Sequence, residues 1–134
     1  MAVTRTEKLP VQASEDVVRV RQAVRAWAVE MRFTLVDQTK VVTAASELAR
    51  NTLTHGGGGT VELESLADGG RRGLRLTFAD QGPGIADLAQ ALRDGFTTGG
   101  GLGLGLGGAK RLSSEFEIRS QPGAGTTVQI TRWT

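Results

Sequence analysis

The stretch "ASELARNTLTHGGGG", Ala45 to Gly59, sets a carboxylate and a carboxamide four residues apart and then runs into four glycines. On a helix that spacing brings Glu47 and Asn51 to one face, a single turn apart. A carboxylate can take a proton from an attacking hydroxyl, and a carboxamide oxygen suits a hard cation such as Mg²⁺. A plain surface pair has the same spacing, so the surrounding sequence has to decide. Gly56 to Gly59 read as the end of the helix and the turn into a strand. His55, the one histidine of the chain, reads as a structural or capping residue.

Outward from that stretch, the chain alternates helices and strands. The helix carrying Glu47 is predicted from about Asp37 to Thr54, burying Val41, Ala45, Leu48 and Thr52. Before it, Val17, Val20, Val24, Trp27 and Met31 recur in steps of three and four. They predict a first helix with Ser14 as its N-cap and Glu15 and Asp16 at its positive end. After it, "TVELESL" (Thr60–Leu66) and "GLRLTFAD" (Gly73–Asp80) alternate with period two around "ADGGRR", a hairpin pattern. Short helices are predicted over Asp87–Arg93 and Gly108–Ser113. "EFEIRS" and "TTVQITRW" form a second hairpin around "QPGAG". No repeat or linker divides the chain, so residues 1–134 read as a single domain. Helices grouped with antiparallel hairpins give an α+β sandwich with one sheet face covered and the other wet.

Composition narrows the function classes. A chain of 134 residues with 39% hydrophobic and 22% charged residues is globular rather than disordered. The net charge is only +2, and the densest basic cluster, Arg71, Arg72 and Arg75, reads as a solvated hairpin. Nucleic acid is therefore not the expected partner. The absence of cysteine excludes disulfides and the usual zinc sites, and fits a reducing compartment. "MAVTRTEKLPVQASEDVVRVRQ" has no apolar signal core and no window approaches a membrane span, so the cytoplasm is the expected location.

Two further stretches carry chemistry. In "FADQGPGI", Phe78 to Ile85, an Asp ends a strand and glycines follow at alternate positions. Such an Asp either opens an ordinary turn or accepts a hydrogen bond from the exocyclic amine of a base, the glycines admitting a flat ring. "TTGGGLGLGLGGAKR", Thr97 to Arg111, holds seven glycines in fifteen residues, and its spaced leucines argue against a flexible linker. It lacks the Gly-Lys step of a P-loop. Gly103, Gly105 and Gly108 fit G-x-G-x-x-G, but no strand directly precedes them and no acidic residue follows about twenty positions on. A eukaryotic-type kinase would need H-R-D and D-F-G, both missing.

Taken in order, E-L-x-x-N, D-x-G-x-G, the loop G-x-G-x-G-L-G-G and a strand bearing Gly-Thr resemble the GHKL ATPases. That superfamily shares the Bergerat ATP-binding fold, and the resemblance spans roughly residues 37 to 130. It implies a two-layer α/β sandwich with a mostly antiparallel mixed sheet covered on one face by helices. It also implies ATP and Mg²⁺ as cofactors. Carried over by position, Glu47 is the general base and Asn51 the Mg²⁺ ligand. Asp80 recognises the adenine amino group, and Gly82 and Gly84 admit the ring. Gly101, Gly103, Gly105 and Gly107 form a lid over the phosphates, with Leu102, Leu104 and Leu106 anchoring it. Thr126 supports the Asp80–adenine contact. Lys110 and Arg111 either offset phosphate charge or form a solvated helix end, and Arg50 steadies the phosphates or a partner.

In these 134 residues neither the phosphoacceptor domain of sensor histidine kinases nor the transducer domains of gyrase and MutL is expected. "VDQTKVVTAASELARN", "DQGPGIADLAQALRDGFTTGGGLGLGLGGAKRLSSEFEI" and the terminal "RWT" resemble the RsbT-type serine/threonine switch kinases. That resemblance implies a cytoplasmic kinase that phosphorylates STAS-domain antagonists and, once released, activates a metal-dependent phosphatase. His55 departs from the RsbT pattern, where an aromatic or another residue is expected, and suits the anti-sigma versions better. The alternatives are an anti-sigma factor kinase of the RsbW type and a non-catalytic ATP-gated binding module. The oligomeric state, with a homodimer among the options, stays open.

Overall fold

Period-two alternation builds most of the sheet, and in the computed structural model it does so on the expected strands. Residues 1–87, 89, 92 and 106–134 are described. The elements are β1 (Ala2–Val11), α1 (Ser14–Glu30), α2 (Leu35–Thr54), β2 (Gly59–Asp68), β3 (Arg71–Asp80), α3 (Leu106–Arg111), β4 (Glu115–Ser120) and β5 (Thr126–Trp133). The strands form one five-stranded sheet in the order β1-β2-β3-β5-β4. Every pairing among the described residues is antiparallel, in keeping with the mostly antiparallel sheet that the resemblance implied.

One face of the sheet is apolar. Val61 and Leu63 of β2, Leu74, Leu76 and Phe78 of β3, and Val128 and Ile130 of β5 are buried there, with Phe116 and Ile118 of β4 packed against them. Helices α1 and α2 close over this face with Val17, Val20, Val24, Trp27, Val41, Ala45 and Leu48, the apolar stripes legible in the sequence. The other face is polar: on it Arg75 makes a two-point ion pair with Glu64, at 2.9 and 3.2 Å. Arg75 is therefore a half-buried cross-strand partner rather than a solvated hairpin residue. Arg71 lies over the Trp133 ring, 4.4 Å from its centre.

Strand β1 carries no apolar alternation because charged residues cover the end of the core. Arg5 stacks over the Trp27 ring at 4.0 Å, and Glu7 accepts the indole N–H at 3.2 Å. The strand is an edge, and its Pro10 is tolerated there because an edge strand has one unpaired side.

Helix starts differ slightly from expectation. Ser14 is the first helical residue of α1, not its N-cap; the cap is Ala13. Asp16 takes over the capping role by reaching back, its Oδ2 accepting the Gln12 and Ala13 N–H groups at 2.8 and 3.1 Å. The Gln12 hydrogen bond, ahead of the contact with Arg19, holds the Asp16 carboxyl below its ordinary value. Helix α2 begins at Leu35, two residues before Asp37, with the Thr34 hydroxyl accepting the Asp37 N–H at 3.1 Å. Helix α3 begins and ends two residues before the predicted Gly108–Ser113.

Asp37 also locks the fold. Its Oδ1 accepts from Arg132 Nη2 at 2.7 Å, while Arg132 Nη1 donates to the Leu112 carbonyl at 3.1 Å. One guanidinium thus joins the start of α2, the end of β5 and the segment after α3. The Arg132 hydrogen bond holds the Asp37 carboxyl below its ordinary value of 3.8. A lowered folded value means that this stabilisation is fully present above the unfolded value and is lost as pH falls through the folded one. Asp37→Asn is therefore expected to cost about 1–2 kcal/mol at neutral pH. Denaturant unfolding of both proteins from pH 7 downward checks this: the gap should shrink as pH drops below 3.8. A constant gap would contradict the assignment.

Candidate active site

Four strand ends meet in one row. Gly59 pairs with Asp80, Asp80 with Thr126, and Thr126 with Ser120. Along β3, β5 and β4 the core-facing positions read Leu76, Phe78, Asp80; Ile130, Val128, Thr126; and Phe116, Ile118, Ser120. The apolar ladder therefore turns polar at one end of the sheet. Helix α2 brings its C-terminal turn to this end, and a cleft opens between them. Its lining includes Asn51 and His55 from α2, Asp80 and Thr126 from the row, and Leu48, Phe78, Ile85, Leu106 and Val128 as apolar walls.

Asp80 is held firmly. It is 8% exposed, and its Oδ1 accepts the Gly82 N–H at 2.8 Å and the Thr126 N–H at 3.2 Å. Among the described residues no hydrogen bond reaches Oδ2, which leaves it as an acceptor in a mostly apolar cleft. Thr126 thus aims Asp80 through its backbone, and its hydroxyl pairs with Ser120 Oγ at 2.8 Å.

The glycines have a packing cause. A Cβ on Gly56 would overlap the Asp80 carboxyl, so the first glycine of the run serves the cleft as well as ending the helix. A Cβ on Gly82 would sit 2.7 Å from the backbone of Gly56. Gly84 has φ +76°, and a side chain there would overlap the Gln121 carbonyl. Close packing, against the Asp80 carboxyl at Gly56 and against backbone at Gly82 and Gly84, thus requires all three glycines before any ring enters.

His55 caps α2: its N–H donates to the Asn51 carbonyl at 3.0 Å. Its ring Nε2 lies 3.2 Å from the Gly84 carbonyl, which can only accept, so Nε2 carries a proton. The expected capping role is present, together with a tie to the D-x-G-x-G segment. The spacing Glu47, Asn51, His55 was the available signal, since successive steps of four keep one helix face.

Glu47 and Arg50 lie outside the cleft lining. Arg50 Nη1 donates to Glu47 Oε1 at 3.1 Å, with the two side chains 54% and 38% exposed. An exposed pair three residues apart on a helix is worth roughly 0.5 kcal/mol or less. It costs little to break, so the pair does not fix the Glu47 carboxylate in place. Lys110 is exposed in the last turn of α3 and does not line the cleft. Gly107 sits buried within α3 rather than in a loop, and Leu106 is buried in the cleft wall. Gly101, Gly103, Gly105, Leu102 and Leu104 lie outside the described residues, as does most of the expected Asp87–Arg93 helix. Among the described residues no cluster of three His, Cys, Asp or Glu side chains could hold a metal ion.

The family described as histidine kinase-like ATPase domain matches residues 11–132, from the end of β1 nearly to the end of β5. The serine/threonine-protein kinase RsbT of Bacillus subtilis (strain 168) is 48% identical over 118 residues, 88% of this chain and 89% of that protein. The chain belongs to the histidine kinase-like ATPases, on their RsbT-type serine/threonine-kinase branch. The chain is also similar to anti-sigma F factors. That of Bacillus licheniformis is 32% identical, covering 84% of this chain and 80% of its own length. That of Thermoanaerobacter sp. (strain X514) is 29% identical, covering 84% and 82%.

Solved structures agree on the fold. The RsbU and RsbW domains of Rv1364c from Mycobacterium tuberculosis match with a TM-score of 0.63 and 24% identity. The match covers 96% of this chain and 32% of that longer one. The SiaB–SiaC complex from Pseudomonas aeruginosa gives a TM-score of 0.54 at 15% identity, covering 98% and 91%. No helix among the described residues is long and apolar enough to cross a membrane.

Proposed function

We propose that the cleft binds ATP and that the kinase transfers its γ-phosphoryl group to a serine or threonine of a STAS-domain antagonist. The observation that carries this reading is the unshared Oδ2 of the buried Asp80, an acceptor suited to the amino group of adenine. The apolar walls then flank the ring, and Thr126 fixes the carboxylate from behind. Asn51, one turn before His55 on the cleft wall, would hold Mg²⁺ through its carboxamide oxygen. A single protein ligand fits this ion, which commonly completes its shell with substrate phosphates and water. When bound, Mg²⁺ would neutralise charge on the phosphates. Glu47, one turn further out, meets the partner's hydroxyl and takes its proton as the oxygen attacks phosphorus and ADP leaves.

The sequence resemblance alone supports the lid role of Gly101, Gly103, Gly105 and Gly107, and a phosphate-facing role for Lys110 or Arg50. It also supports a second partner, a metal-dependent phosphatase activated by the released kinase, and work in the cytoplasm.

The second reading, an RsbW-type anti-sigma kinase, is favoured by His55 and by the anti-sigma F factors among the relatives. Co-purification separates the two. The proposed function predicts capture of STAS proteins in the presence of ADP and of a phosphatase in their absence; stable capture of a sigma factor instead would replace it.

A further inference from the structure

The peptide unit joining Gly84 to Ile85 is gripped from both sides by side chains. Its carbonyl accepts from His55 Nε2 at 3.2 Å, and its N–H donates to Ser120 Oγ at 2.7 Å. His55 comes from the end of α2 and Ser120 from the end of β4, elements far apart in the sequence. The neighbouring backbone is also fixed: Gly82 N–H binds Asp80, and the Pro83 carbonyl accepts the Gly123 N–H at 2.7 Å. Ser120 does more than close this loop. Its hydroxyl lies 3.1 Å from the Gly125 carbonyl and 2.8 Å from Thr126 Oγ1. One oxygen therefore ties the loop after β3 to the start of β5, the two backbone segments whose N–H groups hold Asp80 Oδ1.

Ile85 is 5% exposed and forms part of the cleft wall. Its position follows from the orientation of the peptide that His55 and Ser120 hold. The same peptide lies two residues beyond Gly82, one of the two donors that aim the Asp80 carboxylate.

We infer that His55 and Ser120 are paired positioning residues that set the base-recognition wall and so determine selectivity for adenine over guanine. The inference rests on the adenine reading of the cleft. A fixed carboxylate favours an amino group and repels a carbonyl oxygen at the same point of the purine; a carboxylate free to swing discriminates less. Loss of either grip frees the loop, so the effect should fall on selectivity as well as on affinity.

Calorimetric titration of the full chain with ADP and GDP, each with Mg²⁺, tests this. His55→Leu and Ser120→Ala are each expected to weaken ADP binding about tenfold, the equivalent of one hydrogen bond. The preference for ADP over GDP should fall several-fold in both. Because both residues grip one peptide, the double variant should lose less than the product of the two. His55→Gln, whose side-chain amide can donate to the same carbonyl, should restore most of the preference. Thermal unfolding without nucleotide identifies a purely structural role, which would lower the midpoint and leave the preference intact. ADP binding with an unchanged preference in both variants overturns the paired-grip inference alone. No ADP binding by the natural chain overturns the adenine reading beneath it.

Discussion

Glu47→Ala is expected to slow phosphoryl transfer at least 100-fold, the lower range of what a positioned general base supplies. Nucleotide affinity should change by no more than about threefold, because Glu47 does not line the cleft and its only described partner is Arg50, in an exposed pair worth little. Transfer of labelled phosphate, read beside the dissociation constant for ADP, separates the two quantities. A variant that transfers at the natural rate removes Glu47 from the reaction. One that loses nucleotide binding instead assigns it to the binding site.

Asp80→Asn should have the opposite signature. The aspartate has two acceptor oxygens and uses Oδ1 for the Gly82 and Thr126 N–H groups. A carboxamide has one acceptor and one donor. If its oxygen keeps the two backbone N–H groups, its amino group faces the amino group of adenine. If it flips, its amino group meets two N–H donors inside the protein. Either orientation leaves donors facing donors in a buried place, at about 1–3 kcal/mol. ADP affinity should therefore fall about ten- to a hundredfold, with thermal stability without nucleotide falling only slightly in the first orientation. Unchanged affinity would mean that the base lies elsewhere.

The parts of the fold that were legible in the sequence are those where one physical preference acts alone. The stripes of α1 and α2 follow from burying Val20, Val24, Val41 and Leu48. The same period of two that places Phe78 and Val128 in the core also brings Asp80 and Thr126 to the cleft. Strand β1 was not legible because its core-facing positions carry Arg5 and Glu7, whose purpose appears only beside Trp27. Ser14 looked like a cap because the cap alphabet favours serine, whereas the orphan N–H groups are met by Asp16 from inside the helix.

The cleft shows the same division. Asn51 and Asp80, which line it, stood out by spacing and chemistry; Glu47 stood out with them but lies outside the lining. Gly56 did not, since a glycine required by contact with a carboxylate distant in sequence looks the same as one that ends a helix. Ser120 left only a faint trace, a hydroxyl in the inward register of β4 after Phe116 and Ile118. Its meaning depends on the pairing with Thr126 and on the loop that comes to lie above it.

The central claim is that this cleft and Glu47 together pass a phosphoryl group from ATP to a protein hydroxyl. Mass spectrometry of a STAS-domain protein incubated with ATP, Mg²⁺ and the kinase measures this directly. A single added phosphate on one serine or threonine is expected, present with the natural chain and missing with Glu47→Ala. An unmodified STAS protein alongside ATP bound at the cleft would contradict it.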